Sequence, residues 1–400
     1  MKPTASILRP LLLLCLVLFG ARQGRCDVAD SLAQARAHYY DSLEVGLITC
    51  SPHEEVYSLY GHAALRVNDH RPGGDWTFNY GVFNYKQPFF VLRFVFGKTD
   101  YELGVAPFGE FCKYYRSWGS QVSELVLNLT AQEKERIVMA LDENYQPQNR
   151  VYRYNFFFDN CATRPRDIIE RNIDGRVEYA QTADEGPSFR SMIHDHTQQH
   201  PWAAMGNDLL LGVRADLPTT QREQHFLPEN LERDFAGARI VGPDGSSRPL
   251  VKERRIVVPP GNQFVEEGFP LSPSHCGMLL LAVAIVVMVF EWRRHQCMRW
   301  FDALLMLATG LAGCIVVVMF FSEHPATSTN LQVLLLNPLH LVFLPAVVRR
   351  RPAARRYWNL LVAMVLLFFV GGLWQHYAEG MDFLALSLLL RYWSHLRNDK

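Results

Sequence analysis

The stretch MLLLAVAIVVMVFEW, residues 278–292, is followed at once by Arg293 and Arg294. It holds one charged residue, Glu291, and belongs in hydrocarbon rather than water. With Pro273–Gly277 added it is long enough to cross about 30 Å of bilayer core. Three apolar stretches of 22, 18 and 18 residues follow: Trp300–Phe321, Leu331–Val348 and Tyr357–Trp374. A fifth, Met381–Trp393, is shorter. The connections alternate in charge. Arg293, Arg294 and Arg299 follow the first stretch, and Arg349, Arg350, Arg351, Arg355 and Arg356 the third. The connections after the second and fourth carry no Lys or Arg. Basic loops stay in the cytoplasm, so residues before about 274 are expected on the far side of the cytoplasmic membrane. A fifth span is retained because it places Arg391, Arg397 and Lys400 inside.

The other end of the chain agrees. Lys2 and Arg9 precede a nine-residue apolar run, Leu11–Phe19, and then small residues. Residues 1–26 read as a secretory signal. Cys26 raises the idea of a lipid-modified cysteine, but the preceding Gln23-Gly24-Arg25 is no lipobox. The 40 Lys and Arg balance 40 Asp and Glu, which argues against a nucleic-acid partner. With 49% hydrophobic residues wholesale disorder is excluded, and eight cysteines in 400 residues do not make a disulfide scaffold.

Residues 27–258 read as an α+β exported domain. Residues 259–273 are a Pro/Gly-rich linker, and 274–400 a helical membrane domain of about five spans. Val45–Thr49, Ala63–Val67 and Asp75–Tyr85 read as strands. Thr130–Tyr145 reads as a helix, with Thr130 and Glu133 in capping-box spacing. Tyr152–Phe158 is strand-like. Cys161–Asn172 reads as a helix with Pro165 in its first turn. Ser188–Leu211 reads as helical, with Trp202 and Leu209–Leu211 as an acyl groove or plain core. Ala238–Val258 reads as a hairpin about Pro243-Asp244-Gly245.

Two places carry candidate chemistry. Tyr60-Gly61-His62-Ala63 lies at the mouth of a strand. Asp159-Asn160-Cys161-Ala162-Thr163 follows a strand and opens a helix. Unpaired N–H groups and the helix dipole favour a thiolate at a helix start. An imidazole beside it makes a thiolate–imidazolium pair. The N–H of Cys161 is a candidate oxyanion donor, and Arg164 and Arg166 add positive potential. A buried structural thiol, or a disulfide with Cys50 or Cys112, stays open at this point. His194-Asp195-His196 with His200 resembles a metal cluster, but such clusters on polar helices are more often solvated, so no metal or cofactor is expected. Within the third apolar stretch, Asn337-Pro338 is read as a kink. Glu323, His324 and Asn330 are candidate head-group contacts.

These motifs carry a resemblance. Ile48-Thr49-Cys50-Ser51-Pro52 through Tyr60-Gly61-His62, Phe78-Asn79-Tyr80-Gly81-Val82-Phe83 and Asp159–Arg164 resemble the lipoprotein N-acyltransferase family of Bacteroides-type bacteria (Lnb). So do Gly206–Gly212, Phe226-Leu227-Pro228-Glu229, His324-Pro325 and Leu336-Asn337-Pro338-Leu339. His62 precedes Cys161 by 99 residues, an order similar to circularly permuted papain-like enzymes of the lecithin–retinol acyltransferase type. The resemblance implies Cys161 as nucleophile, His62 as base and Asn79 as orienter. Tyr60, Tyr80, Asn160 and Arg164 are then substrate-binding or oxyanion residues. It further implies a phospholipid or lipoprotein acyl donor, a lipoprotein acceptor and an inner-membrane location with the catalytic domain in the periplasm. The rivals are a membrane-bound thiol hydrolase of the same fold and a non-enzymatic receptor or scaffold. A transporter is disfavoured for want of repeat symmetry.

Overall fold

The computed structural model describes residues 30–83, 88–89, 93, 96–180, 186–263, 268–349 and 353–398. The expected signal segment 1–26 and the end of the Asp75–Tyr85 reading lie outside them. After a helix over residues 30–42 (α1), the exported part builds a seven-stranded sheet in the order β10-β5-β1-β2-β3-β4-β6. Its strands are β1 (Glu44–Cys50), β2 (His62–Asn68), β3 (Asp75–Val82), β4 (Asp100–Pro107), β5 (Val122–Leu127), β6 (Val151–Arg153) and β10 (Val251–Val258). Every pairing is antiparallel. Val45, Leu47, Leu65, Phe78 and Leu125 place one face against Ile137 and Leu141 of α3 (Ala131–Tyr145) and Ile169 of α4 (Thr163–Asn172). The other face packs on α2 (Phe108–Ser117), where Phe111 and Tyr115 meet Ile48, Cys50 and Ala64. Thr130 and Glu133 close the expected capping box on α3.

Three readings change. The aromatic run Tyr152–Phe158 is a strand only through Arg153. The Asn155 carboxamide then accepts from Phe157 N, and Asn155 bridges Asp159 to close a turn. That turn sends Phe157 into a second cluster with Phe189, Met192 and Phe226. Ser188–Leu211 is two helices, α5 (Phe189–Thr197) and α6 (Pro201–Leu210), because Pro201 starts a new helix rather than continuing the old one. Ala238–Val258 holds three strands. β8 (Arg239–Val241) and β9 (Ser247–Pro249) form the hairpin beside β7 (Arg176–Glu178), and β10 leaves to pair with β5. A further helix, α7 (Pro228–Gly237), precedes β8.

The membrane part holds α8 (Pro273–Arg294), α9 (Arg299–Met319), α10 (Leu339–Val348), α11 (Ala353–Gly371) and α12 (Met381–Asn398). Among the described residues three segments, Pro273–Arg294, Arg299–Met319 and Pro325–Val348, are long and apolar enough to cross a bilayer. About five were expected, and α11 and α12 are the other two helices of this part. α11 starts near Arg355 and Arg356 and α12 carries Asp382, Arg391 and Arg397, yet both pack into the bundle core through Trp358, Leu361, Phe368, Leu388 and Tyr392. The third stretch is broken: two 3₁₀ turns, Pro325–Thr327 and Leu331–Leu334, precede α10. The Asn337 carboxamide accepts from Leu339 N at 2.9 Å, satisfying the backbone that Pro338 interrupts. His340 is buried between the Thr309 hydroxyl (2.7 Å) and the Tyr392 hydroxyl (3.2 Å).

The two parts are hydrogen-bonded to each other. Gly212 N donates to Ala326 O (2.8 Å) and Val213 N to Thr329 O (3.2 Å). Three buried amides add side-chain bonds. Asn330 donates to Leu209 O (2.9 Å), Gln332 to Asp208 O (2.7 Å) and Gln375 to Leu211 O (3.1 Å).

Candidate active site

β2 begins at His62 and its neighbour β3 carries Asn79, so sheet pairing brings imidazole and carboxamide side by side. His62 Nε2 lies 2.5 Å from Asn79 Oδ1. An amide oxygen only accepts, so Nε2 carries the hydrogen and Nδ1 is left for the other partner. That partner is Cys161, whose thiol hydrogen-bonds the imidazole. Cys161 is 8% exposed. Burial works against its ionisation, but the His62 charge and hydrogen bond, with the N–H groups of Ala63 and Cys161, hold the thiol below its ordinary pKa. Burial likewise opposes a charge on His62, and the Cys161 thiolate, with Asn79, raises the imidazole above its usual range. Both shifts favour the thiolate–imidazolium pair, the nucleophilic state of cysteine. Cys50 shows what the environment does without an imidazole: burial pushes its thiol well up. Cys112 is pushed up to about 11, again by burial. Both are free thiols.

The local sequence explains the placing of the thiol. Asn160 is 2% exposed. Its carboxamide oxygen accepts from Ala162 N and Thr163 N, both at 2.9 Å. Its amide donates to Phe156 O and Phe226 O, both at 2.8 Å. This Asx cap starts α4 at Thr163, two residues later than the sequence reading, and leaves Cys161 in the turn before it. Gly81, at φ +95°, faces the pair: a Cβ there would lie 3.6 Å from Cys161 Cβ and 3.8 Å from His62 Cε1.

The structure thus gathers Cys161, His62 and Asn79. The other four expected residues take different positions. Tyr60 receives the Asn207 amide on its hydroxyl at 2.7 Å and packs on Phe156 and His196. Tyr80 is buried in the sheet core, where its hydroxyl finds no partner among the described residues. Asn160 is fully committed as a cap. Arg164 clamps Asp159 with two bonds (2.6 and 2.7 Å) and covers the Tyr152 ring at 3.5 Å. The histidine cluster disperses: His194 bonds Asp208 at 2.8 Å and His196 bonds Glu229 at 3.1 Å. Asn330 is spent on the junction between the two parts.

Two family models match the chain. The Lnb N-terminal periplasmic domain covers residues 32–197 and the Lnb transmembrane domain residues 265–400. The chain belongs to the Lnb family. No curated protein and no solved structure matches it. As an Lnb-family chain it is a membrane protein with a periplasmic domain, of a family whose part is in lipoprotein biogenesis. The thiol, imidazole and carboxamide all fall within the periplasmic match. Sequence reasoning missed Tyr115, whose ring lies parallel to His62 at 6.3 Å and whose hydroxyl bonds the Cys50 thiol. Its signal was present only as one aromatic among several on the buried stripe of α2.

Proposed function

We propose that this Lnb-family chain is a lipoprotein N-acyltransferase that works through a Cys161 thioester. The observation that carries the reading is the buried Cys161–His62–Asn79 chain of contacts, with a thiol held low by an imidazole that Asn79 orients. Cysteine is the nucleophile, His62 the proton carrier and Asn79 the orienter. A fold of the permuted papain-like type fits the order of His62 before Cys161. The thiolate attacks an ester carbonyl of a phospholipid or lipoprotein donor. A C–S bond forms, the C–O bond breaks, and His62 Nδ1 gives its proton to the leaving alcohol. The free α-amine of the acceptor's lipidated N-terminal cysteine then attacks the thioester. A C–N bond forms, the C–S bond breaks, His62 takes the amine proton and the thiolate returns. The N–H of Cys161 stabilises the oxyanion in both halves.

The acyl carrier must lie near the membrane, and the docking of the periplasmic part on the bundle supports this. The segments that touch it, 324–332 and 372–380, are those without Lys or Arg. The arginine-bearing turns lie at the other helix ends, which favours an inner-membrane protein with its thiol on the periplasmic side. The test is mass spectrometry of a model lipoprotein's N-terminal peptide from cells lacking their own N-acyltransferase. One added amide-linked acyl chain is expected with the wild type and none with Cys161→Ala. Gain with both removes Cys161 from the reaction. Gain with neither, in well-expressed protein, moves the reading to a hydrolase.

A further inference from the structure

An open cavity of about 580 Å³ lies between α5 and α6 of the periplasmic part and the connection from α11 to α12. That is the size of a small-ligand site. One wall carries His194 and Asp208; the other carries His376, Glu379 and Asp382. Among the described residues no lysine or arginine lines it. Its depth is marked by the neighbours of its lining residue Gly372: Leu373 and Trp374 are 80% and 61% exposed. Exposed aromatic and aliphatic side chains of this kind sit where hydrocarbon meets head groups.

The charges are not equivalent. Asp208 already holds Arg190 at 2.6 Å and His194 at 2.8 Å. Glu379 accepts from Ser274 N at the start of α8 (3.2 Å). Asp382 is exposed and forms no ion pair among the described residues. The His194 and His376 rings meet edge-on at 6.1 Å. The mouth therefore offers carboxylate oxygens without a fixed cation, next to two imidazoles.

We propose that this cavity holds the aminoethyl phosphate head group of a zwitterionic phospholipid from the adjoining leaflet. The primary ammonium is matched by Asp382 and Glu379 through charge-assisted hydrogen bonds. The phosphate is matched by His376 and His194, and the acyl chains pass Leu373 and Trp374 into the bilayer. A quaternary ammonium head group has no N–H to donate, and a glycerol phosphate head group has no ammonium. The cavity and the thiol site share α6: Asp208 lines the cavity, while Asn207 holds the hydroxyl of Tyr60, two residues from His62. The lipid held here is the acyl donor. That last step rests on the acyl-transfer reading; the binding does not.

The test uses full-length Cys161→Ala protein in detergent, which cannot turn over. Native mass spectrometry measures retention of chain-matched phosphatidylethanolamine, phosphatidylcholine and phosphatidylglycerol with EDTA present. The ethanolamine lipid should be retained about ten-fold over the other two, the factor that corresponds to ~1.4 kcal/mol. Asp382→Asn with His376→Ala should abolish the preference. So should Ala204→Trp, which fills the cavity from α6, and melting temperatures show that each variant is folded. Equal retention of the three lipids overturns the proposal, as does an unchanged preference in either folded variant. A calcium ion held in place of lipid when EDTA is omitted overturns it too. Lipid preference without lipoprotein acylation by the wild type would remove the transferase reading and leave the site standing. Acylation without preference would do the reverse.

Discussion

At the scale of the residue, three buried thiols in one domain differ only in what surrounds them. Burial alone raises a thiol, as at Cys50 and Cys112. Cys161 is lowered because an oriented imidazole outweighs burial. A thiol whose pKa is depressed keeps its thiolate below the usual value of about 8.5. Iodoacetamide should therefore label Cys161 near neutral pH, leave Cys50 and Cys112 unlabelled, and lose Cys161 only on acidification. His62→Ala should move the labelling midpoint upward, since the cation that lowers it is gone. Labelling at peptide resolution across pH decides this; an unmoved midpoint in folded His62→Ala would separate the two residues. Gly81 gives a second prediction. A methyl there sits against both reactive side chains, on a backbone that L residues rarely adopt. Gly81→Ala should cut acyl transfer by about ten-fold or more through poor positioning, measured as kcat/KM for a model lipoprotein.

At the scale of the element, the cap matters more than the helix it starts. Asn160 makes four hydrogen bonds from one buried carboxamide, and its loss leaves several backbone groups unsatisfied. Asn160→Ala should destabilise the periplasmic part by about 2–3 kcal/mol, read from chemical denaturation. Asn160→Asp should recover the two acceptor bonds and part of that loss. The sequence made the helix and its neighbouring cysteine legible, because polar residues before a 3.6-residue pattern mark a start. It did not reveal that Asn160 works inward as a cap rather than outward as an oxyanion donor. That depends on where Phe226, 66 residues on, brings its carbonyl. The same limit hid the break at Pro201 and the turn after Arg153. There local apolar content resembled a continuing element, and a proline and one asparagine carboxamide decided otherwise. His62 and Asn79 could be paired in advance only through the family resemblance. Their contact follows from β2 and β3 lying side by side, and strand pairing is not written in either strand alone.

At the scale of the whole molecule, two polar devices hold a mostly apolar bundle and its periplasmic cap in register. The first is Arg391 on α12, buried against Glu291 of α8 (2.8 Å) and Asp302 of α9 (2.7 Å), with His395 also on Asp302 (2.8 Å). Removing Arg391 takes the guanidinium partner from two buried carboxylates, which costs about 3–5 kcal/mol. Arg391→Met should lower the melting temperature in detergent, and Glu291→Gln with Asp302→Asn in the same background should restore part of it. The second device is the junction itself. At Gly212 the backbone passes so close to Ser328 O that a Cβ would collide with it, and Gln332 and Gln375 tie the same segment to the bundle. If the acyl chain comes from the bilayer, this contact fixes the height of the thiol above the lipid. Gly212→Ala should force the two parts to separate locally without touching Cys161, His62 or Asn79. Labelling of Cys161 by iodoacetamide should then stay at the wild-type rate. Acylation of a membrane-bound lipoprotein should fall by about ten-fold to a hundred-fold, the penalty for ångström-scale misplacement. Protease cleavage in the linker 259–273 should quicken. Unchanged acylation alongside faster cleavage would show that the thiol reaches its substrates without a fixed height.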